Sequence, residues 1–184
     1  LLGDGHQIGP GAVFGRVQPV AVVAARPEIA AGGVEDAVGG VCQTEGPIPE
    51  GGNDGDGVVD FVYVVYAGCD EAQTGIEEAN WAKASNISLT LGNGMKIKRY
   101  ACSGELVIDL PVVAGIGTFI HEFSHILGLP DFYNTKAEDF TMDVWSVMDY
   151  GMYNAEGFVP CAYTSFERYS LGWAPMHTLD QPAT

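Results

Sequence analysis

Apolar positions are spread unevenly along the chain, and their clusters predict most of its elements. Val58 to Ala67 (VVDFVYVVYA) is nearly continuous in apolar residues and dense in β-branched and aromatic side chains, which predicts a strand covered on both faces. Met95 to Ala101 and Leu106 to Leu110 are shorter candidate strands, and Val20 to Ala25 is another near the N-terminus. Between Val112 and Leu127 the period changes. Ile116, Phe119, Ile120, Phe123 and Leu127 fall on one stripe of a helix whose apolar side is expected to enter the core. A last helix is predicted from about Cys161 to Leu171, where Gly172 stops it. Weaker signals suggest short helices over Glu28 to Val41, diluted by four glycines, and over Gly75 to Ala84 within an irregular stretch 68–94. Gly46 to Gly57 reads as a polar, Gly-rich loop. Neither a repeat nor a linker interrupts the pattern, so residues 1–184 are expected to form one domain. Its parts are an N-terminal 1–50, a central helix at 112–127 and a C-terminal 128–184.

The central helix carries His121-Glu122-Phe123-Ser124-His125. Residues four apart on a helix lie one above the other, so both imidazoles can meet a single ion while Glu122 reaches a water on it. The histidines fall on the face opposite the apolar stripe, which turns them into a cleft. A metal-free pair of surface histidines is the plain alternative, and the residues just after the motif argue against it. Gly128 lets the chain leave the helix in a left-handed turn, and Asp131 comes three residues later, so the whole reads HEFSHILGLPD. Three protein ligands and one open position are the pattern of catalytic zinc, which makes Asp131 the expected third ligand. The other role open to Asp131 is to orient a ligand histidine. Glu138, Asp139, Asp143 and Asp149 are its rivals in an acidic stretch, while His6 and His177 lie near the termini without ligand-like spacing.

Further on, Trp145-Ser146-Val147-Met148-Asp149-Tyr150-Gly151 suggests a turn that sets Met148 as an apolar floor beneath the imidazoles, the hallmark of metzincins. Tyr150 then either approaches the metal and stabilises the oxyanion or is a packing tyrosine.

Composition narrows the field. Hydrophobic residues make up 47% and charged residues 17% of 184, enough for one domain with a real core. The apolar run from Val17 to Ala25 is broken by Gln18 and Pro19 and falls far short of the ~20 residues of a membrane span. No basic segment precedes it, so an exported form is expected to have lost its signal segment already. With 24 acidic and 8 basic residues the net charge is −16, which makes nucleic acid and anionic membranes poor partners. Asn53-Asp54-Gly55-Asp56-Gly57-Val58-Val59-Asp60 presents carboxylates every second residue, a spacing that suits Ca²⁺ through Asn53, Asp54, Asp56 and Asp60. It is not an intact EF-hand, since aligning Gly57 with the invariant glycine leaves Gly52 first and Tyr63 twelfth; a solvated acidic turn is the alternative.

Taken together, NDGDGVVDFVYVVYAG, HEFSHILGLPDFYN, WSVMDYGMYN and PCAYTSFERYSLGW, in this order over residues 53–173, resemble the immune inhibitor A family of secreted zinc metallopeptidases. Ser124 stands where the family commonly has Gly, and residues 1–50 resemble it poorly. The resemblance implies an α+β, zincin/metzincin-like catalytic domain: a twisted mixed sheet, an active-site helix, and a largely irregular C-terminal part with a terminal helix. It also implies secretion, structural calcium and zinc-dependent cleavage of protein or peptide substrates. Zinc would fall to His121, His125 and Asp131, and the general base to Glu122. Cys42, Cys69, Cys102 and Cys161 are too widely spaced for a metal knuckle; a secreted enzyme favours two disulfides among them, with four thiols the alternative. A zinc hydrolase of non-protein substrates and a calcium-stabilised binding module are rival functions. Glu122 argues against the latter, because holding zinc alone does not need it. Oligomeric state and cleavage specificity are not legible.

Overall fold

The computed structural model describes residues 21–25, 56–77, 79–107, 112–137, 139 and 141–177. Strands β1 (Ala21–Ala25), β2 (Val62–Tyr66), β3 (Lys83–Thr90) and β4 (Lys96–Gly104) form a mixed sheet in the order β1-β2-β4-β3. β1 and β4 both run parallel to β2, and β3 is an antiparallel edge beside β4. Helices α1 (Glu71–Thr74), α2 (Ile116–Leu127) and α3 (Ser165–Ser170) complete the regular structure, with 3₁₀ turns at Asp143–Trp145 and Tyr150–Tyr153. The architecture is α+β.

β2 is covered on both faces, as its unbroken apolar run requires. Val62, Val64 and Tyr66 join Leu91, Ile97, Tyr100 and Cys102 on one side. On the other, Tyr63 and Ala101 meet Ile126, Phe119 and Phe123 of α2, with the Tyr63 and Phe119 rings 4.1 Å apart. This second layer fixes α2 against the sheet. Among the described residues no helix is long and apolar enough to cross a membrane.

Several expected boundaries shift for identifiable reasons. β2 begins at Val62, because Val58 makes only an isolated bridge to Lys96 and Asp60 is exposed. Among the described residues of 75–84 there is no helix. Asp70 caps α1 through the backbone N–H of Gln73, Gly75 ends it at φ 64°, and Lys83 onward is strand β3. The 106–110 strand is reduced, within the described residues, to a bridge between Leu106 and Val113. That bridge delays the start of α2 to Ile116, which is exposed, whereas Phe119, Ile120, Phe123 and Leu127 of the expected stripe are partly buried. α3 starts at Ser165, where Thr164 and Glu167 form a capping box. The 28–41 helix falls outside the described residues. Cys69, Cys102 and Cys161 form no disulfide with one another, and two bridges among four cysteines would require one, so that expectation fails.

Candidate metal centre

α2 presents its two histidines toward the turn that succeeds it. Gly128 adopts φ 108°, and the backbone N–H groups of Gly128 and Leu129 donate to the carbonyls of His125 and Ser124. This turn folds the chain back beneath its own helix, the geometry a glycine permits cheaply. It places the Leu129 carbonyl 2.8 Å from His125 Nδ1 and returns Asp131 to the imidazoles. The Met148 turn approaches from the other side, setting the Val147 carbonyl 2.9 Å from His121 Nδ1. Phe132 N–H donates to the Met148 carbonyl at 2.8 Å, so the two turns are joined.

These contacts decide the tautomers. A carbonyl only accepts, so each Nδ1 carries the proton and each Nε2 keeps its lone pair. The two Nε2 atoms lie 3.2 Å apart, and each is 3.2 Å from Asp131 Oδ1. Among the described residues that oxygen is buried and has no hydrogen-bond partner. Three lone-pair donors facing one another without a proton between them would repel, which is the arrangement a cation resolves. Edges of 3.2 Å bring the three donors close enough to share one small cation, and two imidazoles with a carboxylate are donor types that zinc takes. The donor set therefore fits zinc. His121, His125 and Asp131 are the one group of metal-ligand type brought together among the described residues.

Charge in the site follows the same geometry. Burial works against ionising Asp131, yet the two imidazoles outweigh it and hold its carboxyl well below the usual carboxylate range. Burial also opposes a charged His125, but Asp131 and the Leu129 carbonyl raise its proton affinity above the ordinary imidazole value. Glu122 is 7% exposed. Desolvation raises its carboxyl above the ordinary range, while the histidines and the backbone N–H of Ala84 on β3 only partly offset that. A desolvated carboxyl with raised proton affinity next to the histidines is suited to general-base work.

The turn beneath the histidines is rigidly supported. Met148 is fully buried with Leu129, Val147 and Met152, and Ile120 of α2 packs on them. Asp149 accepts hydrogen bonds from the Thr141 hydroxyl and from the backbone N–H groups of Met142, Asp143 and Tyr150. Ser146 donates to Glu167 Oε1 of α3 at 2.6 Å, and Ser124 pairs with the Tyr163 hydroxyl at 2.6 Å. At the far end of α2, Arg99 donates to the carbonyls of His125 and Ile126. A guanidinium on the last carbonyls steadies the turn from which His125 projects.

The other residues named from sequence lie elsewhere. Asp149 is committed to its turn, Asp139 accepts from Asn134 on the surface, and Asp143 sits in a 3₁₀ turn; none joins the triangle. His177 is exposed, and His6 and Glu138 are outside the described residues, as are Asn53 and Asp54. Asp56 is exposed and accepts from Val58 N–H at 2.7 Å; Asp60 is exposed. Tyr150 is 61% exposed, and its ring lies 6.3 Å from that of Tyr153.

Sequence reasoning missed Tyr133, whose ring stacks on His121 at 6.5 Å and 19°. Burial and the Asp131 charge push its hydroxyl up to about 12. It also missed Tyr153, whose hydroxyl is raised by burial and by Asp70 and Glu122. No spacing marks either residue; only exposed aromatic character beside the motif hinted at them. A cavity of about 420 Å³ opens beside His125 and Asp131, walled by β3, β4 and the Gly128 turn.

A family model described as the immune inhibitor A peptidase M6 catalytic domain matches residues 48–174 of the chain. Among curated proteins, none matches it.

Proposed function

Because this chain belongs to the immune inhibitor A peptidase M6 family and is therefore a peptidase, we propose that it is a zinc-dependent endopeptidase that hydrolyses peptide bonds in protein substrates. One observation carries the reading: His121 Nε2, His125 Nε2 and Asp131 Oδ1 converge with 3.2 Å edges, while a backbone carbonyl faces the Nδ1 of each histidine. His121, His125 and Asp131 would hold the metal. Zinc bound there supplies a water of lowered pKa, near ~7, and a Lewis acid for the scissile carbonyl.

The chain's own residues supply the rest. Glu122, beside the ligands on α2, takes the proton of the attacking water and returns it to the leaving amine. Burial raises its proton affinity, which suits it to accepting that proton. Val147 and Leu129 hold the imidazoles in the tautomer that exposes Nε2. Met148 serves as the apolar floor under them. Tyr150, exposed and two residues after Met148, is assigned to the oxyanion.

The same reading makes protein or peptide chains the partners and the extracellular space the place of action, both supported by the family. Structural calcium at Asn53, Asp54, Asp56 and Asp60 belongs to it as well, supported by the carboxylate spacing. Metal analysis joined to a casein-cleavage assay tests the proposal. One zinc per chain is expected, with cleavage lost on chelation and restored by zinc. Cleavage that persists in a metal-free protein would refute it.

A further inference from the structure

We propose that the cavity beside the metal centre is a subsite for an acidic side chain of the substrate, read by the guanidinium of Arg99. The inference rests on the endopeptidase reading above and gives it a preference for Glu or Asp near the scissile bond. The cavity, of about 420 Å³, has His125 and Asp131 on one wall and Ser85, Asn86 and Arg99 on another. A peptide whose scissile carbonyl lies at the histidines therefore has a neighbouring side chain within reach of Arg99. The volume falls in the range of pockets that take small ligands, about 300–1,000 Å³, so a Glu side chain fits with room for water.

Arg99 is held where such a side chain would meet it. It stands opposite Asn86 in the β3–β4 register, which sets both side chains on the face turned toward α2. Its Nη2 donates to the His125 carbonyl at 2.9 Å and its Nη1 to the Ile126 carbonyl at 3.1 Å. These bonds fix the guanidinium and engage one N–H of each terminal nitrogen. The remaining donors of the fork sit on an exposed side chain at the cavity wall. A carboxylate matches that fork in shape and charge. Among the residues that line the cavity, Asp131 is the one acid, and zinc held at the triangle would more than offset its charge. Lys96, Lys98 and Arg99, three of the chain's 8 basic residues, lie within one short run of β4. In a chain of net charge −16 they make this end of the sheet a local attractor for anionic groups.

The test uses fluorogenic peptides that differ only in carrying Glu, Gln or Lys at successive positions around one cleavage site. Values of kcat/KM are compared for the full chain, Asn86→Asp and Arg99→Gln, and peptide affinity is read by fluorescence anisotropy on Glu122→Ala. At one position the full chain should favour Glu over Gln by about tenfold, the low end for a hydrogen bond to a charged group, and over Lys by more. Because Arg99 is exposed, that preference should weaken as salt is raised. Asn86→Asp leaves the Arg99 bonds to α2 in place and should erase the preference or turn it toward Lys, with the Gln peptide cleaved as before. Arg99→Gln should bring Glu and Gln to parity. Equal cleavage of Glu and Gln peptides at every position would overturn the proposal, as would a Glu preference that Asn86→Asp leaves unchanged. An equal loss on all peptides in Arg99→Gln, with the Glu preference kept, would overturn it in favour of a purely structural Arg99. If no peptide is cleaved, it is the endopeptidase reading that fails. The affinities on Glu122→Ala then decide the subsite alone: Glu tighter than Gln upholds it, and equal binding overturns it.

Discussion

Gly117 lies in the first turn of α2, where helix propensity and packing make opposite predictions. In an ordinary helix, Gly→Ala gains about 1 kcal/mol because the backbone loses less entropy on folding. Here the Gly117 N–H donates to the Gly157 carbonyl at 2.9 Å, and an added Cβ would sit 1.8 Å from the Met152 carbonyl oxygen. Reaching an ordinary contact of 3.4 Å from 1.8 Å takes a displacement of 1.6 Å, against main chain rather than a yielding side chain. Overpacking of this kind costs typically 1–3 kcal/mol, and a backbone clash belongs at the upper end. Set against the ~1 kcal/mol propensity gain, Gly117→Ala should destabilise the protein by about 2 kcal/mol. For a chain of this size that is a fall of about 4–8 °C in melting temperature. Because Met152 packs with Val147 and Met148, the shift also moves the carbonyl that orients His121, so zinc affinity should fall with stability. Thermal melting of the zinc-free protein, followed by zinc titration, checks both. A Gly117→Ala variant as stable as the parent, or more so, would refute the close approach of α2 to the 152–157 segment.

Three further outcomes are expected. After dialysis, Asp131→Ala should lose zinc, whereas Asp139→Ala, Asp143→Ala and Asp149→Ala should each retain it more strongly than Asp131→Ala does; zinc held by Asp131→Ala would move the third ligand elsewhere. The buried Asp149 has its carboxyl lowered, since burial would raise it but the Thr141 hydroxyl and three backbone N–H donors outweigh that. Its contribution to stability is therefore present above the ordinary carboxylate range and is lost as pH falls through its depressed value. Urea melts of Asp149→Asn against the parent should accordingly show a stability gap at neutral pH that narrows in acid; a constant gap would contradict this. If calcium binds near Asp56 and Asp60, free calcium at ~100 times its dissociation constant should add about 2.7 kcal/mol, and a melting curve indifferent to calcium would argue for a solvated turn.

Which features could be read from the sequence depended on the kind of signal each one leaves. β2 was visible because a strand buried on both faces must be apolar at nearly every position, and α2 because Phe119 and Phe123 recur at helical spacing around the histidines. β3 does not stand out: at the sheet edge Ala84, Ile87 and Leu89 pack on the core, and KASNISLT is otherwise polar. The start of α2 was placed early because Val112 and Val113 extend the apolar pattern, while their hydrogen-bonded contact with Leu106 and Val107 is non-local. Asp131 could be anticipated from the turn chemistry of Gly128. The carbonyls of Val147 and Leu129 could not, since every residue carries one and only the fold selects which of them meets an imidazole. Tyr133 and the Ala84 N–H are of the same kind, defined by where the chain returns. The two disulfides were expected from the secreted class and not from the even count, which thiols satisfy equally.

In the proposed reaction everything turns on Glu122 moving a proton at a metal that it does not itself bind. Zinc content and casein cleavage, measured side by side on the parent and on Glu122→Ala, separate those two roles. One zinc per chain in both proteins, with proteolysis abolished in the variant, is the predicted result. Full activity in zinc-loaded Glu122→Ala, or loss of the metal together with Glu122, would contradict it.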